Sequence, residues 1–352
     1  MNAAPPGFHP SRLVKRMRAA VERLRLDLRG LTVFTEAATG AYAVTPVLAA
    51  MAGAERVWAL TRPSRYGSTA EVMAQTGELA QLAGVDGNLR FITEKSRDIV
   101  ARADIVTNSG HVRPIDAEMV GWMKPGAVVP LMYEAWEFRD TDLDLAACRL
   151  RGIPVAGTNE RHPEVNVFAF LGLMAVRMLL DAGIEVYGAR ILLLCDNPFA
   201  PFISRGLADA GAEVETAPSL AAASADPLRD AVLVALTPQD SPVMADADAA
   251  ILAATQPQAV VAQFWGDLDR QALARRGVQF WPASAPAPGH MGILPSHLGP
   301  EPIIRLQSGG LKVGEVMARA VRENPAVTRP DAAVAAAVAS GFGQPLNGGP
   351  PS

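Results

Sequence analysis

Cysteine is nearly absent from this sequence: Cys148 and Cys195 are the two present among 352 residues. Two cysteines build neither a disulfide framework nor a thiolate zinc site, and they fit a reducing compartment. An excess of charge of one sign is missing too. Lys and Arg number 32 against 36 Asp and Glu, a formal net charge of −4. That balance argues against a general binder of nucleic acid or of anionic membranes. The longest apolar run, Phe168 to Leu180, is about a dozen residues and contains Arg177, against the roughly 20 that a membrane span needs. The first 30 residues hold no apolar signal core, so a cytoplasmic protein is expected. What is present is apolar side chain, 49% of the sequence. At about 100–200 residues per domain, that is enough for two domains with a core each.

Residues 1–30 read as a Pro-rich lead-in and a helix opened by Ser11, with Leu13, Met17, Val21, Leu24 and Leu28 at helical spacing. Its basic residues fit either a phosphate- or membrane-facing helix or one packed on the body with a solvated basic face. Glu22 and Asp27, which interrupt the charge, favour the second. From residue 31 the pattern alternates strand, turn, helix, strand: LTVFT, RVWAL, NLRFIT, the DIV of ARADIVTNSG, GAVVPLM and IPVAGT are the strands. Strands that are apolar throughout and alternate with helices mark a parallel sheet covered on both faces. Residues 163–182 read as a long buried helix, and a second α/β unit follows with ARILLLC, AEVETA, AVLVALT, QAVVAQF and VQFWPA as strands. The expected fold is α/β, two Rossmann-like parallel-sheet domains joined by a long buried helix. Its expected divisions are 1–30 (helix and lead-in), 31–160 (first Rossmann-like domain) and 161–187 (interdomain helix). Then come 188–322 (second Rossmann-like domain with a returning C-terminal helix) and 323–352 (flexible Pro/Gly/Ala-rich tail). So apolar a helix as 163–182 also points to a homodimer.

Within residues 98–182, the runs DIVARADIVTNSG, LDLAACRLRGIPVAGTN and EVNVFAFLGLMAVRMLL resemble the D-isomer-specific 2-hydroxyacid dehydrogenases. The resemblance covers about half of the chain and implies a cofactor domain beginning near YGARILLL. That family's G-x-G-x-x-G loop lets backbone touch pyrophosphate at a helix N-terminus. Here the same place reads Cys195, Asp196, Asn197, Pro198, Phe199, Ala200. Glycine is missing, an acid stands where phosphate arrives, and Pro198 removes a backbone donor. The family's catalytic Arg is replaced by Trp265 before Gly266, and its acid Glu has no counterpart between Asp267 and Gly289. Only His290, in PGHMG, matches the His of its Pro-His-x-Gly motif. Oxidation of a 2-hydroxyacid by that family's mechanism is therefore not expected.

The first domain offers another cofactor place. The first strand runs into Glu36-Ala-Ala-Thr39-Gly40-Ala-Tyr42 and a helix, the strand–turn–helix form that nucleotide sites use, although an ordinary tight turn reads the same way. After the second strand, WALTRPSRYGS holds no acid for a ribose but has Thr61, Arg62, Ser64 and Arg65. That stretch resembles the Asn-Arg-Thr-x-x-Arg pattern of NADP-dependent shikimate-type dehydrogenases and implies NADP, since a guanidinium fork suits a 2′-phosphate. Two exposed loop arginines are the plain alternative. The same strands, with Met123-Lys124-Pro125-Gly126 before the fifth, also resemble class I methyltransferases, which implies S-adenosylmethionine. The acid that would hold the adenosyl ribose is missing there at Thr61.

In such a fold the expected site is the cleft at the carboxyl ends of the strands, between the domains. Asn108, Ser109, His111, Tyr133, Glu134, Glu137, Asn159, Glu160, Arg161, His162, His290, Met291, His297 and Arg305 all fall on loops at that edge or beside it. His290 is the expected general acid/base because His titrates near neutral pH. Glu134 is either a substrate-facing acid or base or a solvated loop acid, and Ser109 a cofactor contact. No His pair has short-range ligand spacing, so no metal is expected. Cys195 reads as a buried thiol before a nucleophile. Three functions remain open: an NADP-linked oxidoreductase acting on a small oxo or hydroxy compound, an S-adenosylmethionine-dependent methyltransferase-like enzyme, or a binding protein that keeps the architecture without a cofactor.

Overall fold

Apolar runs form the parallel strands that the sequence predicts, and those inside the sheets are buried on both faces. A computed structural model describes residues 6–64, 66–224, 228–323 and 330–346. The chain divides into two units, Met1–Val167 with Gly299–Gly349, and Phe168–Leu298 with Pro350–Ser352. The strands of the first are β1 Thr32–Glu36, β2 Arg56–Leu60, β3 Leu89–Ile92, β4 Ile105–Val106, β5 Val129–Pro130 and β6 Val155–Thr158. Hydrogen-bonded order runs β3-β2-β1-β4. A parallel bridge from Ile105 to Val128 carries the sheet into β5, which pairs in parallel with β6. The order 3-2-1-4-5-6 reverses between β1 and β4, and ligands of open α/β sheets settle at that reversal, outside the carboxyl ends.

The second unit has β7 Arg190–Leu194, β8 Glu213–Ala217, β9 Ala231–Ala235, β10 Val260–Trp265 and β11 Gln279–Trp281, all parallel, in the order β11-β10-β9-β7-β8. Each unit is thus a Rossmann-like α/β domain, and all eleven strands lie where the apolar runs put them.

Three segments differ from expectation. The helix predicted over 163–182 is shorter: Phe168–Phe170 is a 3-10 turn and the α-helix is Leu171–Asp181. It buries Leu171, Met174, Ala175, Met178 and Leu179 but leaves Leu173 and Leu180 exposed, so its burial within the unit is one-sided. Gly172 makes that possible, because its Cα packs on Gly206 of the helix Ala200–Asp209 with no room for a side chain.

The returning helix Glu301–Glu323 belongs to the first unit, not the second. It packs on the helices Pro10–Leu24 and Val44–Met51 and on β4, β5 and β6. Its Gly309, Gly310 and Gly314 let the backbone lie on the sheet: a methyl on Gly314 would come 2.9 Å from Ile105 Cγ2, and one on Gly310 would strike Met132. The N-terminal helix accordingly buries Leu13, Met17, Ala20 and Leu24 against the body; Arg12, Lys15, Arg16 and Arg18 are exposed, while Arg23 is half-buried and donates to the Glu164 carbonyl at 2.9 Å.

The tail is the third difference. Residues 330–346, expected to be loose, hold the helix Pro330–Ala339, which buries Ala333 and Ala337, and a strand β12, Gly343–Gln344. β12 pairs antiparallel with β6 through Gly343–Thr158 and Gln344–Gly157. The physical reason is a partner that composition does not show, the open edge of β6. No helix among the described residues is long and apolar enough to cross a membrane.

Candidate functional site

β1, β4, β5 and β6 deliver polar side chains to one edge of the first sheet. Glu36, the last residue of β1, is buried, and its Oε2 accepts the His111 N–H at 2.9 Å. Gly110 permits this approach, since a methyl there would lie 2.9 Å from the same oxygen. After β4, three hydroxyls form a chain across the reversal point: Thr35 to Thr107 at 2.8 Å and Thr107 to Ser109 at 2.9 Å. Asn108 is 1% exposed. Its Oδ1 accepts the Met132 N–H at 2.7 Å, whereas its Nδ2 has no partner. Thr61, fully buried after β2, has an Oγ1 without a partner as well. A buried polar atom without a partner costs about 1–3 kcal/mol, so two at one edge mark a place where a ligand or water belongs.

The remaining first-domain candidates sit around the same edge. Thr39 precedes the 3-10 turn Gly40–Ala43 and donates its hydroxyl to the Tyr66 carbonyl at 3.3 Å. Gly40 holds φ +64°, and its N–H donates to Gln75 Oε1 at 3.1 Å. Arg62 and Ser64 are exposed, and the Ser64–Gly67 turn is closed by paired backbone hydrogen bonds. Arg65 lies outside the described residues.

Glu134 is not a solvated loop acid. Fully buried, it accepts from Trp136 Nε1 at 2.5 Å and from the Glu160 N–H at 3.2 Å, and Arg161 Nε lies 3.4 Å away. The neighbouring Ala135 N–H donates to Gln344 Oε1 of β12 at 2.9 Å. Burial, aided by the charge of Glu134, pushes the half-buried Glu137 up to about 7. Burial, then Glu137 and Glu134, raise the Glu160 carboxyl well above the usual carboxylate range. Tyr42 is pushed up to about 12 by burial and then by Glu36, with Arg113 opposing. Glu137 is thereby held as a proton carrier near neutral pH, the property that general acid–base work requires. Sequence reasoning placed Glu134, Glu137 and Glu160 on loops at this edge but not in one buried group. It missed the Thr35–Thr107–Ser109 chain and Gln344 altogether. His290 is an exposed residue of the second unit.

The reversal point of the second sheet carries no glycine loop. Asp196 Oδ1 there accepts both the N–H and the hydroxyl of Thr237, at 2.8 and 2.9 Å. Asn197 Nδ2 donates to the Ala235 carbonyl at 2.7 Å. The Phe199 and Trp265 rings, 5.3 Å apart, stand beside them. A carboxylate is thus tied down between β7 and β9, where a glycine loop would present backbone N–H groups. Cys195 is buried, with its thiol pushed up to about 11 by that burial, so it is no thiolate nucleophile. At the opposite edge of this sheet a cavity of about 340 Å³ is lined by Tyr187, Arg229 and Gln256. Arg229 is committed there to Glu215 and Ser224. Among the described residues no group of three or more His, Cys, Asp or Glu could hold a metal ion.

No protein-family model matches the sequence, and no curated protein does. Among solved structures, the chain is similar to a dipicolinate synthase chain from Bacillus subtilis, at 11% identity over 86% of this chain and 99% of that one, with TM-score 0.51. It is also similar to the dipicolinate synthase chain from Bacillus halodurans, at 11% identity over 80% and 96%, TM-score 0.48. A third likeness is to an NAD-dependent formate dehydrogenase from Staphylococcus aureus, at 12% identity over 85% and 97%, TM-score 0.40. The first of these shows the fold, the pair of Rossmann-like domains that the resemblance to D-isomer-specific 2-hydroxyacid dehydrogenases implies.

Proposed function

We propose that this chain is an oxidoreductase that uses a nicotinamide dinucleotide, NADP in preference to NAD, bound along the carboxyl edge of the first sheet, and that acts on a small oxo or hydroxy compound. The observation that carries the reading is the end of β2. There the buried, unpartnered hydroxyl of Thr61 is followed by exposed Arg62 and Ser64, with no acid, on a sheet ordered 3-2-1-4-5-6. In this order the adenosine half lies over β1 to β3 and the nicotinamide half over β4 to β6. Arg62 and Ser64 would take the 2′-phosphate, and the turn at Thr39 and Gly40 would receive the pyrophosphate. The nicotinamide, when bound, supplies or accepts hydride. Glu160, Glu137 and Glu134 hold the proton that a carbonyl or hydroxyl oxygen exchanges, and Asn108 Nδ2 orients that oxygen. A transferase for S-adenosylmethionine is less well supported: β6 runs parallel beside β5, where that class has an antiparallel hairpin.

A second reading, a binding protein without a dinucleotide, is favoured by one observation. Both βα turns at the two reversal points carry a carboxylate, Glu36 and Asp196. Thermal unfolding of the purified chain with NADPH, NADH and S-adenosylmethionine separates the readings. A ligand at 100 times its Kd stabilises by about 2.7 kcal/mol. The expected result is a shift with NADPH that is larger than with NADH and is lost in Arg62→Ala. No shift with either nucleotide supports the second reading instead.

A further inference from the structure

We infer that the small molecule bound over β4 to β6 carries a cationic amine beside the oxygen that Asn108 orients; this rests on the proposed site being a small-molecule site. Two independent observations meet there. One is charge. Glu36, Glu134, Glu137 and Glu160 come to this edge, while the cations near them are already engaged: Arg113 and Arg139 with Asp142, each at 3.0 Å, and Arg161 with Glu134. An excess of carboxylates selects a cation, and an ammonium is the cation a small metabolite offers.

The other is a donor that asks for an oxygen. Asn108, nine-tenths buried and more, fixes its Oδ1 on the Met132 N–H, at the start of the loop that carries Glu134. Its Nδ2 has no partner, and the residue follows β4 at the carboxyl edge, between the ends of β1 and β5. Beside it, three hydroxyls share two hydrogen bonds. Three hydroxyl protons serve two hydrogen bonds, so one proton of that chain is left over. Donors on the floor and carboxylates at the sides fit an amino-carbonyl, amino-alcohol or amino-acid ligand, its oxygen down and its ammonium toward Glu160.

Proton release is the signature of this arrangement. Glu137 faces Glu134 and Arg139, and Glu160 faces Glu134, Glu137 and Tyr42, with Arg161 next to it in sequence. An arriving ammonium stabilises the ionised form of these acids, so each binding event expels part of a proton and affinity rises as pH climbs toward the raised Glu137 value of about 7.

Matched probes test the inference on the whole chain, with and without NADPH: serine against glycerate, and aminoacetone against hydroxyacetone, by thermal unfolding and by calorimetry in two buffers of different ionisation heat. The expected result is tighter binding of the amino member of each pair by tenfold or more. Binding should release protons at pH 6.5, and both effects should be lost in Glu160→Gln. Asn108→Leu is the second variant and should weaken both members of a pair alike. Equal binding of the amino and hydroxy members, or no proton release, overturns the inference and leaves the small-molecule site standing. Binding of no member under either condition overturns both.

Discussion

Gly157→Ala lowers the stability of the first unit by about 2 kcal/mol, the range for overpacking a tight contact. Gly157 lies in β6 directly under the loop that carries Glu134, and a methyl on it would stand 2.5 Å from Ala135 N and 2.7 Å from Ala135 Cα. Both are backbone atoms, so no rotamer change relieves the clash, and either β6 or the loop must move. If the loop moves, Trp136 loses its bond to Glu134 and Ala135 loses Gln344. Urea unfolding measures the first effect. The fluorescence difference between the parent and Trp136→Phe, taken with and without the Gly157 change, measures the second. Gly77→Ala is the control: it lies in the helix Thr69–Ala83 with nothing within 4 Å of an added methyl. It should gain up to about 1 kcal/mol, the helix preference of Ala over Gly. Equal effects at the two positions would show that β6 and the loop are not packed as described.

Stability should fall as pH rises from about 5 to 8, and Glu137→Gln or Glu160→Gln should flatten that fall. The native pKa of each acid is raised, so the folded chain keeps a proton that the unfolded chain has released. The stabilisation is complete below the unfolded value near 4.5 and is lost as pH rises through about 7 for Glu137. At 1.36 kcal/mol per unit, and with half discounted for partial exposure, Glu137 accounts for about 1–2 kcal/mol. Acids held low by their partners, Asp104, Asp142 and Glu215, act in the other direction and only below about pH 5. His162, lowered by burial, costs stability as pH falls below 6.5. Differences between parent and variant at each pH therefore isolate the acids. The variants should match the parent near pH 4.5 and exceed it at pH 8. A parent and variant that stay parallel across this range would contradict the assignment.

The sheets were legible because their signal is local. Runs such as RVWAL and ARILLL are buried on both faces and need no knowledge of partners. The place of Thr61, Ser109 and Glu36 at the carboxyl edge was legible through topology, since each follows or ends a strand wherever the chain later goes. Partnership was not legible. The helix Glu301–Glu323 shows an apolar face in its sequence, but that face does not say which unit it meets; the closely spaced Gly309, Gly310 and Gly314 were the signal that it lies flat on a sheet. The Ala-rich stretch before β12 resembles a low-complexity tail, and a two-residue strand such as Gly343–Gln344 carries no periodicity at all. The raised acids belong to the same class: Glu137 and Glu160 are ordinary loop residues until folding removes them from water together.

Under the proposed function the first sheet, and not the second, holds the dinucleotide. A crystal structure of the chain grown with NADPH tests it most directly. Density is expected along the carboxyl ends of β2, β1 and β4, with the 2′-phosphate on Arg62 and Ser64. Pyrophosphate seated on Cys195–Ala200, with the Asp196–Thr237 bonds broken, would contradict it.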